Sequence, residues 1–391
     1  MDTPGPSRDE LRRRVLDEVD RRSDLLLDVS HRIWAQPETC FEERAAHGLL
    51  TDVLESEGLA PTRHAADLET AFVASVGHEG PDVGVVLEYD ALPGIGHEYG
   101  HNVIAAAGLG AGLAAAALAD EVGGRVRILG TPAEEGGGGK VLMIDAGLFD
   151  GLDAAMMVHP ADLDLLRFSS LAVAQMAVDY RGVPSHAASA PHLGRNALDA
   201  AVLGYVNVAA LRQHIRPEER VHGIFTDAGD RPNIVPHHAA AEWFVRAPDG
   251  DGLEDLQQRV VAALQAGADA AGCSMEWRPS APTFLEMRDD HPLLELFAAN
   301  SAALGRPLGA PEEVGHVRGS TDMGNVSQVV PSIHPMLAVA PRGTSIHTPE
   351  FADHARAAAG DRAVLDGARA MALTVLDLWL AAIPSGGPGR L

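Results

Sequence analysis

The stretch VGVVLEYDALPGIGHEYGHNVIAAAGLGAGLAA, residues 83–115, reads as an apolar strand ending in acidic residues, then a glycine-rich turn, then a helix of small apolar residues. Comparable β-like runs occur at residues 71–76, 126–130 and 154–158, with helices expected near 102–121 and 139–148. Strands alternating with helices in this way predict an α/β fold with a mixed, largely parallel sheet. In such open sheets the ligand crevice lies beyond the carboxyl ends of the strands. The runs here lead into Glu88 and Asp90, Glu134 and Glu135, and His159, so polar chemistry converges on one edge.

Around that core the chain divides. Its 391 residues exceed what one hydrophobic core usually supports, and 46% hydrophobic residues suffice for two. A charged first helix is expected near residues 8–28. From about residue 174 to 280 the texture changes to a strand (AQMAVDY), a helix (RNALDAAVLGYVNVAALRQ), two strands (RVHGIFTDA and AAAEWFVRA) and a helix (LEDLQQRVVAALQAGADAA). This reads as an α+β insert. Helices near 291–304 and 350–382 then return to the first domain. The predicted boundaries are 1–172 with 287–391 for the catalytic domain and 173–286 for the insert; the tail PSGGPGRL reads as disordered.

Composition excludes several functions. With 30 basic against 55 acidic residues the formal charge is -25, which opposes binding to nucleic acid or anionic membranes. Lys140 is the only lysine, read here as the codon bias of a GC-rich genome. Cys40 and Cys273 lie far apart without CxxC spacing, so a reducing, cytoplasmic location is expected with neither disulfides nor a thiolate zinc site. The amino terminus is too polar for a signal peptide, and glycines at 108, 110 and 112 make the alanine-rich run a buried helix, not a membrane span.

Several motifs compete for the chemistry. GHEYGHN, residues 96–102, contains HExxH, which on a helix would make His97 and His101 zinc ligands and Glu98 the base of a protease, with Glu121 available as a third ligand. Pro93, Gly94, Gly96 and Gly100 weigh against that helix. GAGLAA falls inside a helix and GGGGKV lacks a phosphate loop's hydroxyl residue, so neither nucleotide motif holds. The adjacent Glu134 and Glu135 are more informative, because neighbouring carboxylates at a strand end ionise together only where a cation or solvent compensates. With His101, His159 and His347 they form a donor set suited to zinc, manganese or cobalt.

The ordered segments HRIWAQPETCFEE, LEYDALPGIGHEYGHN, GTPAEEGGGGK, MMVHP, GVPSHAA, GRNALDAA, NIVP, GSTDMGN and HTPEF resemble peptidase family M20, in its branch of amidohydrolases, aminobenzoyl-glutamate hydrolases and β-alanyl-lysine dipeptidase-like proteins. The likeness runs from about residue 30 to 382. It implies a catalytic domain with a two-metal site, interrupted by a smaller lid domain through which relatives form homodimers. Residue by residue, the resemblance makes His101, Glu135, His159 and His347 metal ligands, Glu134 the general base and Asp90 a carboxylate that orients a ligand. His186 matches the histidine that stabilises the developing oxyanion. Asn233 and Arg246 match positions that hold a substrate carboxylate, and Thr321 and Asp322 lie in a substrate loop.

One position departs from the pattern: the branch reads GHACGHN, with a cysteine ligand, where this chain has Tyr99. A phenol with a pKa of about 10 is a poor zinc ligand and bulkier than a thiolate. Glu88 stands where more distant branches place a ligand histidine. The expected activity is hydrolysis of an amide bond in a small N-acyl amino acid or dipeptide, using one or two divalent ions. The alternative is a metal-free or non-hydrolytic member of the same fold, amide-forming, rearranging or binding-only.

Overall fold

A computed structural model of the chain describes residues 5–310 and 318–382. They fall into two compact units, one within Met1–Ser169, Met287–Arg318 and Asn325–Leu391, the other within Ser170–Glu286 and Gly319–Gly324. The segment Gly319–Gly324, grouped above with the carboxyl-terminal third, lies in the second unit. The tail at 384–391 lies outside the described residues.

The first unit is built on a six-stranded sheet in the order Thr62–Arg63, Phe72–Val76, Arg125–Gly130, Asp82–Leu87, Ala154–Met156, Ser332–Ile333. The first two junctions are antiparallel and the other three parallel, giving the mixed, largely parallel sheet expected. Asp82–Leu87 is buried at every position, which is why it reads as a nearly continuous apolar run and not as an alternation.

The helix His101–Ala116 is buried almost throughout. Its glycines face tight contacts on two sides. A Cβ on Gly112 would lie 2.5 Å from Ile128 Cγ1 of the sheet, and one on Gly110 would lie 2.6 Å from Leu26 Cδ1 in the helix Ser23–Ala35. A helix covered on all faces needs no polar stripe, so the sequence lacks one. The expected helix at 8–28 is instead two, Arg8–Arg21 and Ser23–Ala35, because Arg22 leaves helical geometry and turns its guanidinium onto Glu18 and Glu57. The carboxyl-terminal helix likewise divides into Pro349–Ala355 and Ala358–Ala382. No helix among the described residues is long and apolar enough to cross a membrane.

The second unit is an antiparallel sheet in the order Ser274–Pro279, Ala172–Arg181, His238–Ala247, Arg220–Asp227, packed against helices Ala197–Leu211 and Gly250–Ala271. Met176, Val178, Tyr180, Trp243 and Val245 alternate inward from the central strands to meet Val260 and Leu264. Ser274–Pro279 has no counterpart in the sequence reading. It is a short, exposed edge strand whose alternation rests on only two apolar residues, Met275 and Trp277, with proline at its end, too little to mark it in the sequence.

Gly112→Val would force branched carbons into Ile128, a residue fixed in the sheet. Overpacking of this kind costs about 1–3 kcal/mol. We expect a lower thermal unfolding midpoint for Gly112→Val, measured by calorimetry, with the native fold retained by circular dichroism.

Candidate active site

The site grows from the ends of two adjacent parallel strands, Asp82–Leu87 and Arg125–Gly130. Beyond the first, Glu88 and Asp90 are buried. Beyond the second, the turn carrying Glu134 and Glu135 begins at Ala133, which adopts φ 60°, a region that residues other than glycine seldom enter. Glu43 holds it there. Its Oε1 accepts from the backbone N–H groups of Ala133 and Phe41, each at 2.9 Å, and its Oε2 accepts from the Thr70 hydroxyl at 2.7 Å. Phe41 is itself at φ 61°. Burial pushes the Glu43 carboxyl up, to about 7, with the nearby Asp90 adding to the shift.

Asp90 joins the two strand ends. One oxygen lies 3.0 Å from His101 Nδ1 and the other accepts from Glu135 N–H at 2.9 Å. With Nδ1 turned to Asp90, His101 presents Nε2 to the site, 3.6 Å from Glu88 Oε2 and 4.0 Å from Glu134 Oε2. Burial alone would lower the His101 pKa, but the Asp90 hydrogen bond and the charges of Asp90, Glu88 and Glu135 raise it well above the usual imidazole value. Burial also pushes Glu135 up to about 7, against the opposing pull of His101. His159 donates from Nδ1 to the carbonyl of Pro160 at 2.8 Å, again leaving Nε2 for the site. Lys140, fully buried, places Nζ 2.6 Å from Glu88 Oε1. Burial would raise the Glu88 carboxyl, yet Lys140, His101 and His159 hold it down at about 2.

The HExxH reading is overturned here. Gly100 is left-handed and the helix begins at His101, so His97 and His101 do not share a helical face. Glu121 instead pairs with Arg14 through both oxygens on the surface. Glu98 is buried and approaches His347, with Oε1 3.5 Å from Nδ1. Tyr99 stands among the histidines. Its ring centroid is 4.2 Å from that of His347, edge-on, 5.3 Å from His159 and 6.1 Å from His101.

Glu88, Asp90, His101, Glu134, Glu135, His159 and His347 therefore meet in one place, whereas Glu121 does not. Donor atoms of Glu88, His101 and His159 lie within 4.8 Å of one another, as do those of His101, Glu134 and Glu135, and those of Glu98, Glu135 and His347. His101 Nε2, Glu88 Oε2 and both Glu98 oxygens are buried and accept or donate no hydrogen bond among the described residues. Orphaned donors of mixed oxygen and imidazole type in a field of carboxylates are what a divalent cation requires. The residues present fit that group.

The other sequence-predicted residues belong to the second unit. His186 is exposed, and its Nδ1 accepts from the N–H groups of Ala188 and Ser189, both at 3.2 Å, which places the ring proton on Nε2. The carbonyl of Asn233, also exposed, accepts from Ala187 N–H at 3.0 Å. Arg246 donates to Ser320 Oγ at 2.7 Å, tying the central sheet to the loop of Thr321 and Asp322, both buried.

Residues 88–376 match the profile of peptidase family M20/M25/M40. The chain belongs to peptidase family M20. It is 37% identical to the Xaa-Arg dipeptidase of Mus musculus over 94% of this chain and 89% of that protein. It is 30% identical to one of the subunits of the p-aminobenzoyl-glutamate hydrolase of Escherichia coli, over 95% and 92% respectively. Its fold matches a solved dinuclear metal binding peptidase of the M20 family from Bacillus subtilis, with a TM-score of 0.70 and 18% identity, covering 93% of this chain and all 100% of that one. This M20 chain is accordingly a hydrolase by family, and metal dependence is general in that family.

Three residues escaped the sequence reading. Lys140 reads only as codon bias, Glu43 ends the segment HRIWAQPETCFEE with no role assigned to it, and His334, buried with its ring 5.1 Å from His159, sits in an unremarkable PSIHP run. A sole lysine directly after GGGG, and the place of Glu43 at the end of HRIWAQPETCFEE, were the available clues. Glu43→Ala would strand three donors, at about 1–3 kcal/mol for a buried unsatisfied group. We expect a lower unfolding midpoint and faster hydrogen exchange at the Ala133 amide. Because the folded Glu43 pKa is raised, its stabilising contribution is present in acid and lost as pH rises through about 7. Glu43→Gln, which cannot titrate, should remove that part of the decline in midpoint between pH 5 and 8.

Proposed function

We propose that the chain hydrolyses the amide bond of a small N-acyl amino acid or dipeptide, with Glu134 as the general base. The observation that carries this reading is the convergence of Glu134, Glu135, His101, His159 and His347 in one carboxylate-rich site at the strand ends, with His101, His159 and Glu134 buried and His347 at its exposed side. The names of the relatives support the substrate class, since both describe proteins that act on an amide bonded to an amino acid.

His101, His159, Glu135 and His347 would hold a divalent ion, with zinc, manganese or cobalt suited to their donor types. Such an ion supplies Lewis acidity and lowers the pKa of water. Glu134 accepts a proton from the attacking water as its oxygen bonds to the amide carbon, and delivers that proton to the nitrogen as the C–N bond breaks. Asp90 fixes the tautomer of His101 and, through Glu135 N–H, the orientation of the glutamate turn.

In the second unit, the Nε2–H of His186 suits it to donate to a developing oxyanion. Arg246 and Asn233 are assigned to a substrate carboxylate, and Thr321 and Asp322 to the loop that Arg246 holds. We also assign homodimer formation to this unit. Its edge strand Arg220–Asp227 exposes Ile224 and Phe225, the latter ring 5.7 Å from Tyr205 of the helix Ala197–Leu211, which exposes Val202, Leu203 and Val206.

Tyr99 favours a second reading, a non-hydrolytic member of the fold, because its ring takes up space among three of the histidines. A panel of N-acyl amino acids and dipeptides separates the two. We expect hydrolysis that is abolished by chelators, and a fall of about 10²–10⁴-fold for Glu134→Gln, the usual range for losing a general base. Absence of hydrolysis across the panel by metal-loaded protein would favour the second reading.

A further inference from the structure

We infer that Glu98 is a metal ligand, completing with Glu135 and His347 a second cation position that Tyr99 cannot serve. The inference rests on the metallohydrolase reading above and deepens it.

Glu98 is the most telling residue of the HExxH motif once that motif is stripped of its helix. Its side chain is 1% exposed, and neither carboxylate oxygen accepts a hydrogen bond among the described residues. A carboxylate buried without a donor costs several kcal/mol in general, so it persists only where a cation or proton compensates. The nearest polar partners of Glu98 are themselves metal-binding types. Ligand atoms of Glu98, Glu135 and His347 fall within 4.8 Å of one another, and Glu98 Oε1 is 3.5 Å from His347 Nδ1, too long for a good hydrogen bond but suited to two donors that share an ion.

The second trio, Glu88, His101 and His159, also lies within 4.8 Å, and the turn of Glu134 and Glu135 links the two through His101. Each trio contains at least one carboxylate and one imidazole, and each is backed by a fixed element. Asp90 and the helix start hold His101. The left-handed backbone of His347, φ 59°, presents its ring beside Glu98. Glu98 thus brings to the site, from one residue earlier in the chain, the negative charge that a tyrosine in its neutral form lacks. Tyr99 packs its ring edge-on against His347 as a wall of the site.

The test uses the full chain, stripped with chelator and titrated with Zn²⁺, read by elemental analysis, and with Co²⁺, read by its visible absorption. We expect about two equivalents in the parent, as two-metal sites require. Glu98→Ala and the equal-volume Glu98→Gln should each hold about one, with the second equivalent bound at least tenfold more weakly. Adding a thiolate at the neighbouring position, in Glu98→Ala with Tyr99→Cys, should restore the second equivalent and produce the intense near-ultraviolet band of cobalt–thiolate bonding. A purely structural Glu98 would not be rescued in this way. Parent-like stoichiometry and affinity in both single variants, with circular dichroism unchanged, would overturn the inference while leaving the hydrolase reading intact. A parent that takes up no metal would overturn both.

Discussion

The site depends on the buried carboxylate of Asp90. It stands three residues past the central parallel strand and spends one oxygen on the His101 imidazole and the other on the Glu135 amide. A charge so placed loses its hydration, and the loss is offset only because both partners are donors held rigidly by other elements. His101 is fixed as the first residue of the buried helix, and Glu135 by a turn that follows the adjacent strand. Strand, turn and helix therefore keep their mutual positions through one side chain. Glu43 performs a parallel task from outside the sheet, fastening two left-handed backbone positions so that Glu134 leaves its strand in the right direction.

Charge balance explains the rest of the arrangement. Glu88, Asp90, Glu98, Glu134 and Glu135 all converge, and Lys140 is the one lysine in the chain to oppose them. Its ammonium sits against Glu88 with no exposure of either group, an arrangement that costs desolvation of both charges. Lys140 balances the charge of Glu88 at one side of the cluster, away from the trio of Glu98, Glu135 and His347.

The second unit contributes different physics. Its antiparallel sheet has one face packed by two helices, and its buried residues alternate along the strands accordingly. The Arg246 bond to Ser320 draws a segment from late in the sequence into a unit otherwise made of residues 170–286. A sequence reading by composition assigns such a segment to its chain neighbours, because a six-residue crossing has no texture of its own.

What the sequence by itself determined was periodic or local. Apolar runs set the strands and the sheet type, glycines and alanines marked a helix buried on all sides, and strand ends put Glu88, Asp90, Glu134, Glu135 and His159 on one edge. These follow from short-range rules, since a strand's exit residues necessarily share an edge. The edge strand Ser274–Pro279 was missed because it is short and exposed, with only Met275 and Trp277 to carry an alternation. Only the tertiary structure decided the roles of Glu43, Glu98 and Lys140. Each acts through a partner distant in the chain: Glu43 on Ala133, Lys140 on Glu88, and Glu98 freed from HExxH by the left-handed Gly100 and turned towards His347. Nothing in the local pattern of a buried charge records which distant group compensates it, because that is settled by packing.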